Sequence, residues 1–410
     1  MKRPLATVLA LASALVAGAP QAQDFPVDPP RRPTPVGPPP PPHLARPEPV
    51  AAAAELITPF QLLDRFVLPG SRQTLHWAPP DGLGRGELPS PIIVAHGARP
   101  GPVLCLIAGI HGDEVNGIEV VRRIGQSVDP TRLRGTLVAA PIVNVFGFSR
   151  ISRYLPDRRD LNRHFPGTRS GSIASRMAHG FFNDVVRHCD ALVDFHTGSF
   201  QRTNLPQIRA NLSQPEVLEF TRGFGNTLVL HSEGTRGMLR VAAVAAGIPA
   251  VTFEVGAPQF IEMQHIEPAL EAIGTLMQHM DLLDLAEQGA VEAAVAPIYF
   301  DSRWVRTNAS GFLFGEVELG QAVTLGQRLG HVIDPVTSER TDIVAPFPGQ
   351  VLGKALNQLV LPGYAAFHIG RLTSEQQAVL QASQPAAGGD EVGEDPAERP
   401  VSERPEVERE

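Results

Sequence analysis

At 410 residues, 43% of them hydrophobic, the chain is long enough for two domains and holds ample core material, which excludes a wholly disordered or fibrous protein. The formal net charge of −8 is concentrated at one end, where residues 372–410 hold ten acids against three arginines. The remainder is near neutral, leaving no basic field for nucleic acid and no basic amphipathic stretch for a membrane surface.

In chain order, the N-terminus opens with Lys2 and Arg3, an apolar run from Leu5 to about Val16, and then small residues. This pattern predicts a secretory signal over residues 1–22, cleaved near Ala19 or Ala22, and export to a bacterial periplasm or beyond. No membrane span is expected once it is removed, because the run is too short to cross a bilayer. Residues 23–54 read as a tether: twelve prolines between 25 and 50 favour extended polyproline backbone and bury nothing. The acidic tail, 372–410, reads as disordered for the same lack of apolar material. The two cysteines, Cys105 and Cys189, each border an apolar run and read as small buried hydrophobes; their spacing does not decide whether they pair.

Residues 55–290 alternate apolar runs with helical periodicity. Strands are expected at Val103–Gly109, Thr136–Val143, Ala191–His196, Thr227–His231 and Ala250–Val255. Helices are expected at Val115–Gln126, Ile173–Arg187, Pro215–Phe224, Gly237–Ala246 and Ile266–Gln288. This alternation predicts an α/β domain with a mainly parallel or mixed sheet and flanking helices. In such sheets ligands sit beyond the carboxyl ends of the strands, so residues there carry the most functional weight. From 291 to 371 short β runs are punctuated by Gly and Pro, predicting a small all-β module. Its glycine spacing resembles the biotinyl/lipoyl barrel-sandwich family. The hairpin "DPVTSERTDIV" offers no acceptor lysine, and Lys354 lies after it, so packing or pocket-rimming is expected rather than a swinging arm.

Four stretches carry chemistry. In "AGIHGDE" an apolar strand stops at His111, with Glu114 three residues on, where a helix begins. Both side chains can close on one ion, and a catalytic zinc needs a third protein ligand from elsewhere. "LVDFHTGS" supplies that candidate in His196 at another strand end. Asp194 lies two residues earlier on the same strand face, placed to orient a ligand histidine or to cap a helix. In "IPAVTFEVGAP", Glu254 interrupts an apolar run, where a buried carboxylate is costly unless paired or functional. It reads as a general base beside the metal, or as a partner of one of the many arginines. "SRYLPDRRDLNRHFPG" is too irregular for a helix and too polar for a core strand. Its arginines suit a carboxylate-bearing substrate. Asp113, the remaining acid of the first stretch, reads as a helix-start carboxylate.

Taken in this order, "HGDE", "R…DLNRHFPG", "DFHTGS" and "FEVG" resemble the succinylglutamate desuccinylase/aspartoacylase family of the zinc carboxypeptidase superfamily, over about residues 80–290. The resemblance implies a zinc carboxypeptidase-like fold and one zinc ion per chain, held by His111, Glu114 and His196. It further implies Glu254 as general base and later acid, Arg153 polarising the scissile carbonyl, and Asn162 with Arg163 holding a substrate carboxylate. Arg153 stands two residues further from the Asn–Arg pair than in aspartoacylase, and Arg240 is a candidate pocket arginine. The expected activity is zinc-dependent hydrolysis of an amide in a small N-acyl amino acid, by zinc-activated water with Glu254 as base. The alternatives are a periplasmic zinc carboxypeptidase and a non-catalytic module that binds acidic ligands.

Overall fold

The computed structural model describes residues 57–79, 89–283 and 296–373. The expected signal and tether lie outside these residues, as does all of the acidic tail except its first two positions. Strands β1 (Phe60–Leu62) and β2 (Arg65–Val67) form a small hairpin ahead of the main sheet. The α/β region then supplies β3 (Ser71–Trp77), β4 (Ser90–His96), β5 (Arg99–Ile107), β6 (Arg134–Ala140), β7 (Ala191–His196), β8 (Arg202–Ala210), β9 (Leu228–His231) and β10 (Ala250–Gly256). Between and after them run α1 (Val115–Ser127), α2 (Val145–Ser149), α3 (Ile173–Asp184), α4 (Pro215–Thr221), α5 (Leu239–Ala245) and α6 (Met263–His279). None of these helices is long and apolar enough to cross a membrane.

The sheet is mixed. β5, β6, β7 and β10 are joined by parallel pairings, whereas β3, β4 and β8 enter antiparallel. The apolar runs are continuous because helices cover both faces. Along β5, Leu104 and Leu106 join the core beneath α1 and α6, while Cys105 and Ile107 join the opposite core against α3 and α5. Alternate residues of a strand point to opposite faces, so one strand feeds both cores.

Several boundaries differ from expectation. α3 ends at Asp184, followed by a single 3-10 turn at Val186–His188, and α6 begins at Met263 with Pro268 still inside it. Pro268, the sixth residue of α6, gives up one backbone hydrogen bond inside the helix. β1 to β4 and β8 were not among the expected strands, and β8 is the one that bears on the site. Its sequence, RTNLPQIRA, has neither alternation nor an apolar run, yet it is buried because β9, β10 and β16 surround it. The cysteines are more than small hydrophobes: Cys105 and Cys189 form a disulfide bridging positions 84 apart in sequence, which joins β5 to the chain just before β7.

The C-terminal segment consists of β11 (Ile298–Arg306), β12 (Gly311–Gly315), β13 (Ala322–Val323), β14 (Arg328–Ile333), β15 (Arg340–Val344), β16 (Gly349–Ala355), β17 (Leu359–Val360) and β18 (Ala365–Thr373). It is all-β among the described residues, but it does not stand apart. β12, β14, β15 and β17 form their own four-stranded sheet, whereas β11, β13, β16 and β18 extend the main sheet to twelve strands. β11 pairs in parallel with β9, and β16 pairs antiparallel with β8. This docking brings side chains of the appended strands to the carboxyl ends of β7 and β10.

Candidate metal centre and active site

His111 follows the end of β5, Glu114 is the N-cap residue of α1, and His196 ends β7. Glu114 makes no side-chain cap on its own helix, so its carboxylate is free to turn inward. Gly112 permits this turn: a Cβ there would lie 2.0 Å from backbone atoms of Gly147 and Phe148. The three side chains are buried and converge. His111 Nδ1 lies 2.8 Å from Glu114 Oε1, His196 Nδ1 lies 2.8 Å from Glu114 Oε2, and the two Nδ1 atoms are 3.1 Å apart. Their ligand atoms all fall within 4.8 Å of one another, and no other such cluster occurs among the described residues.

The far ring nitrogens explain the orientation. His111 Nε2 is 2.9 Å from Asp160 Oδ1, and His196 Nε2 is 2.9 Å from Asp194 Oδ2. A carboxylate accepting from each Nε2–H keeps the proton on that nitrogen and leaves the Nδ1 lone pair for the centre, the arrangement metal-ligating histidines adopt. Electrostatics agree. Burial lowers the His196 pKa, but Asp194 and Glu114 outweigh it and raise it well above its ordinary value. His111 is raised as well: burial and Arg153 lower it, and Glu114 with Asp160 prevails. Burial pushes Glu114 up, yet the two histidines hold it far below the usual carboxylate range. This donor set draws in positive charge, and two neutral imidazoles with one carboxylate fit a divalent zinc ion. Asp160→Asn or Asp194→Asn is expected to weaken zinc binding by about 10–100-fold. Competition with a chelator measures this, and an unchanged affinity would show that these carboxylates do not support the ligands.

The loop before α3 contributes the cations. Arg153 is buried, with Nη1 2.9 Å from Glu114 Oε1 and Nη2 2.8 Å from Asp160 Oδ2. Asp160 thus ties the arginine, His111 and the backbone N–H of Asn162 together. Burial pushes Asp160 up, but Arg153 and His111 hold it well below its ordinary pKa. Asn162 Oδ1 accepts from Leu239 N at 2.7 Å, and its Nδ2 lies 3.3 Å from His196 Nε2. Asn162 is thereby anchored to the start of α5 while lining the pocket beside His196. Arg163 lines it too, its Nη1 donating to Asn162 O. Asp113 precedes the N-cap rather than sitting in the first helical turn, and its carbonyl accepts from Gln259 N.

Glu254 lies on β10 directly beside His196 in the parallel register. Its Oε2 accepts from Asn204 Nδ2 at 3.2 Å, and Arg209 Nε stands 3.4 Å from its Oε1. An arginine is therefore near Glu254, but the carboxylate also faces the metal ligands across a shared pocket. The same cleft is lined by Arg202, Ser232, Arg240, Thr252 and Trp304, and encloses about 650 Å³ with its open mouth included. Arg240 donates to Ser232 O and Glu233 O from α5. Trp304 comes from β11 and lies over the Arg202 guanidinium at 5.2 Å, so the appended strands form one wall. Sequence reasoning missed Asp160, Asn204, Arg209 and Trp304. Asp160 had a signal in "DLNR", as the acid directly before the Asn–Arg turn; the other three had none.

Two histidines and a helix-start glutamate thus converge beyond the strand ends of a mixed sheet. The succinylglutamate desuccinylase/aspartoacylase catalytic-domain profile matches residues 100–280. Over those residues the chain is similar to the succinylglutamate desuccinylase/aspartoacylase family. A relative is the N-alpha-acetyl-L-2,4-diaminobutyric acid deacetylase of Halomonas elongata, 24% identical over 310 residues that span 72% of this chain and 87% of the relative. Two solved structures share the fold. The succinylglutamate desuccinylase/aspartoacylase of Rhodobacter sphaeroides superposes with a TM-score of 0.65 at 21% identity, covering 74% of this chain and 96% of the other. The product-bound ectoine utilization protein EutE (DoeB) of Ruegeria pomeroyi gives 0.64 at 23%, covering 73% and 93%.

Proposed function

We propose that this chain is a zinc-dependent deacylase that hydrolyses the amide bond of a small N-acyl amino acid bearing a free carboxylate. The observation that carries the reading is the convergence of His111, Glu114 and His196 at neighbouring strand ends, with Glu254 beside His196 on the next strand. Bound by those three residues, zinc supplies Lewis acidity that brings the pKa of water toward neutrality. Glu254 accepts the proton of the attacking water and returns it to the leaving amine. Arg153, buried against the ligand cluster, offers positive charge to the developing oxyanion. Arg163, with Asn162 beside it, holds the substrate carboxylate as a charge-assisted pair.

The wall built by Trp304 from the appended strands supports a compact acyl amino acid over a long peptide. The Halomonas deacetylase supports amide hydrolysis of that substrate class. Export, read from the N-terminal residues, is supported by the Cys105–Cys189 disulfide, since such bonds persist in oxidising compartments.

The test is metal analysis followed by activity. The purified protein is expected to carry one zinc per chain, to lose activity to a chelator, and to regain it with zinc. Nα-acetyl-L-aspartate, Nα-succinyl-L-glutamate and Nα-acetyl-L-2,4-diaminobutyrate are compared with dipeptides bearing free carboxyl termini. Turnover confined to the dipeptides would replace deacylase with carboxypeptidase, and stoichiometric ligand binding without zinc or turnover would leave only a binding module.

A further inference from the structure

Glu254 is 7% exposed and Asn204 2%, so both side chains are held inside the protein. Their fixing comes from strand β8, which lies between β10 and β16. The pairing of β8 with β10 shifts register between Glu254 and Gly256, opposite Gln207 and Asn204. That irregularity lets Asn204 reach back to Glu254 Oε2 while Arg209 stands at Oε1, so each carboxylate oxygen meets a different β8 side chain. A carboxylate offers about four lone-pair directions, and two contacts of this kind hold its plane while leaving it able to take a proton.

On its other edge β8 pairs with β16, where Asn204 stands opposite Gly353. A Cβ on Gly353 would lie 2.5 Å from Asn204 Oδ1; its next neighbours would be Thr203 O at 3.4 Å and His368 Cβ at 3.5 Å. The amide oxygen itself, buried, accepts no hydrogen bond from the protein. A buried polar atom left in that state is costly, so this Asn is not justified by its oxygen. Its Nδ2 donates to Glu254, and glycine at 353 is what leaves the amide room to do so.

We propose that the C-terminal module sets the catalytic base: Gly353 of β16 positions the Asn204 amide, which with Arg209 orients the Glu254 carboxylate toward the metal ligands. This rests on Glu254 being the general base. Asn204 and Gly353 are positioning residues, acting through Glu254 rather than on substrate. The docked module is thereby part of the active site's geometry, beyond its role as a wall.

The test is a double-mutant cycle on the full chain, using Nα-acetyl-L-aspartate or whichever acyl amino acid above the wild type hydrolyses. Asn204→Ala and Gly353→Ala are each expected to lower kcat by about 10–100-fold, as loss of a supporting hydrogen bond does. KM, zinc affinity and Tm stay near wild type. The double variant is expected to match Asn204→Ala alone, because both changes break one contact. Independent, multiplying effects, or Gly353→Ala within about threefold of the wild-type kcat, would overturn the proposal. A crystal structure of Gly353→Ala decides without any substrate. The Asn204 Nδ2 to Glu254 Oε2 distance should exceed about 3.5 Å, beyond hydrogen-bond reach, and an unchanged contact would overturn the idea. Full activity in Glu254→Gln would be a different failure, that of the base assignment itself.

Discussion

Glu254→Gln is expected to keep its zinc and lose about 10²–10⁴-fold in kcat, the usual contribution of a positioned general base. The amide is the same size as the carboxylate and its oxygen can still accept from Asn204 Nδ2, so the fold and the ligand cluster on β7 and α1 are left intact. What it loses is a group able to take and return a proton. Metal content by elemental analysis, together with steady-state kinetics, separates the two effects. Zinc loss with the activity would mean that Glu254 supports the metal rather than the reaction. A variant within about threefold of wild type would remove Glu254 from the mechanism.

Breaking the Cys105–Cys189 bond is expected to lower stability by up to about 4–5 kcal/mol, the chain-entropy value for a loop of this length. The bond spans 84 positions, and the loop it closes contains His111, Glu114, Arg153 and Asn162. Without it the denatured chain gains freedom that folding must then remove again. Both cysteines are buried, and Cys105 lies between β6 and β7, so strain or cavity effects will alter the figure. Urea unfolding of Cys105→Ser with Cys189→Ser, against the oxidised wild type, measures it. Coincident unfolding midpoints would show that the cross-link adds nothing to stability.

His111, His196 and Glu254 were legible because each breaks a pattern. An apolar run such as PVLCLIAGI or IPAVTF is expected to stay apolar, and a histidine or glutamate at its end is costly to bury without a task. The helices were legible through periodicity, and the structure adds the Ser172 side chain that caps α3. By contrast, β8 has no pattern to break: Arg202, Asn204 and Gln207 are buried, and Arg209 half-buried, by neighbours that arrive from three different parts of the chain. The partners of a buried polar strand are named by sheet order, and sheet order is not a local property.

From its sequence alone this protein was bound to form an α/β layer with His111, Glu114, His196 and Glu254 at strand ends, because hydrophobic periodicity and the cost of burying charge act locally. Tertiary structure alone decided that Asp160 would support His111 and Arg153 together, and that Asn204 and Arg209 would flank the base. It also decided that Cys105 and Cys189 would pair and that the C-terminal strands would join the main sheet. The physical reason is that hydrogen bonds and disulfides need atoms within a few ångströms, and residues some 45 to 160 positions apart reach that distance only once the strands have taken their order.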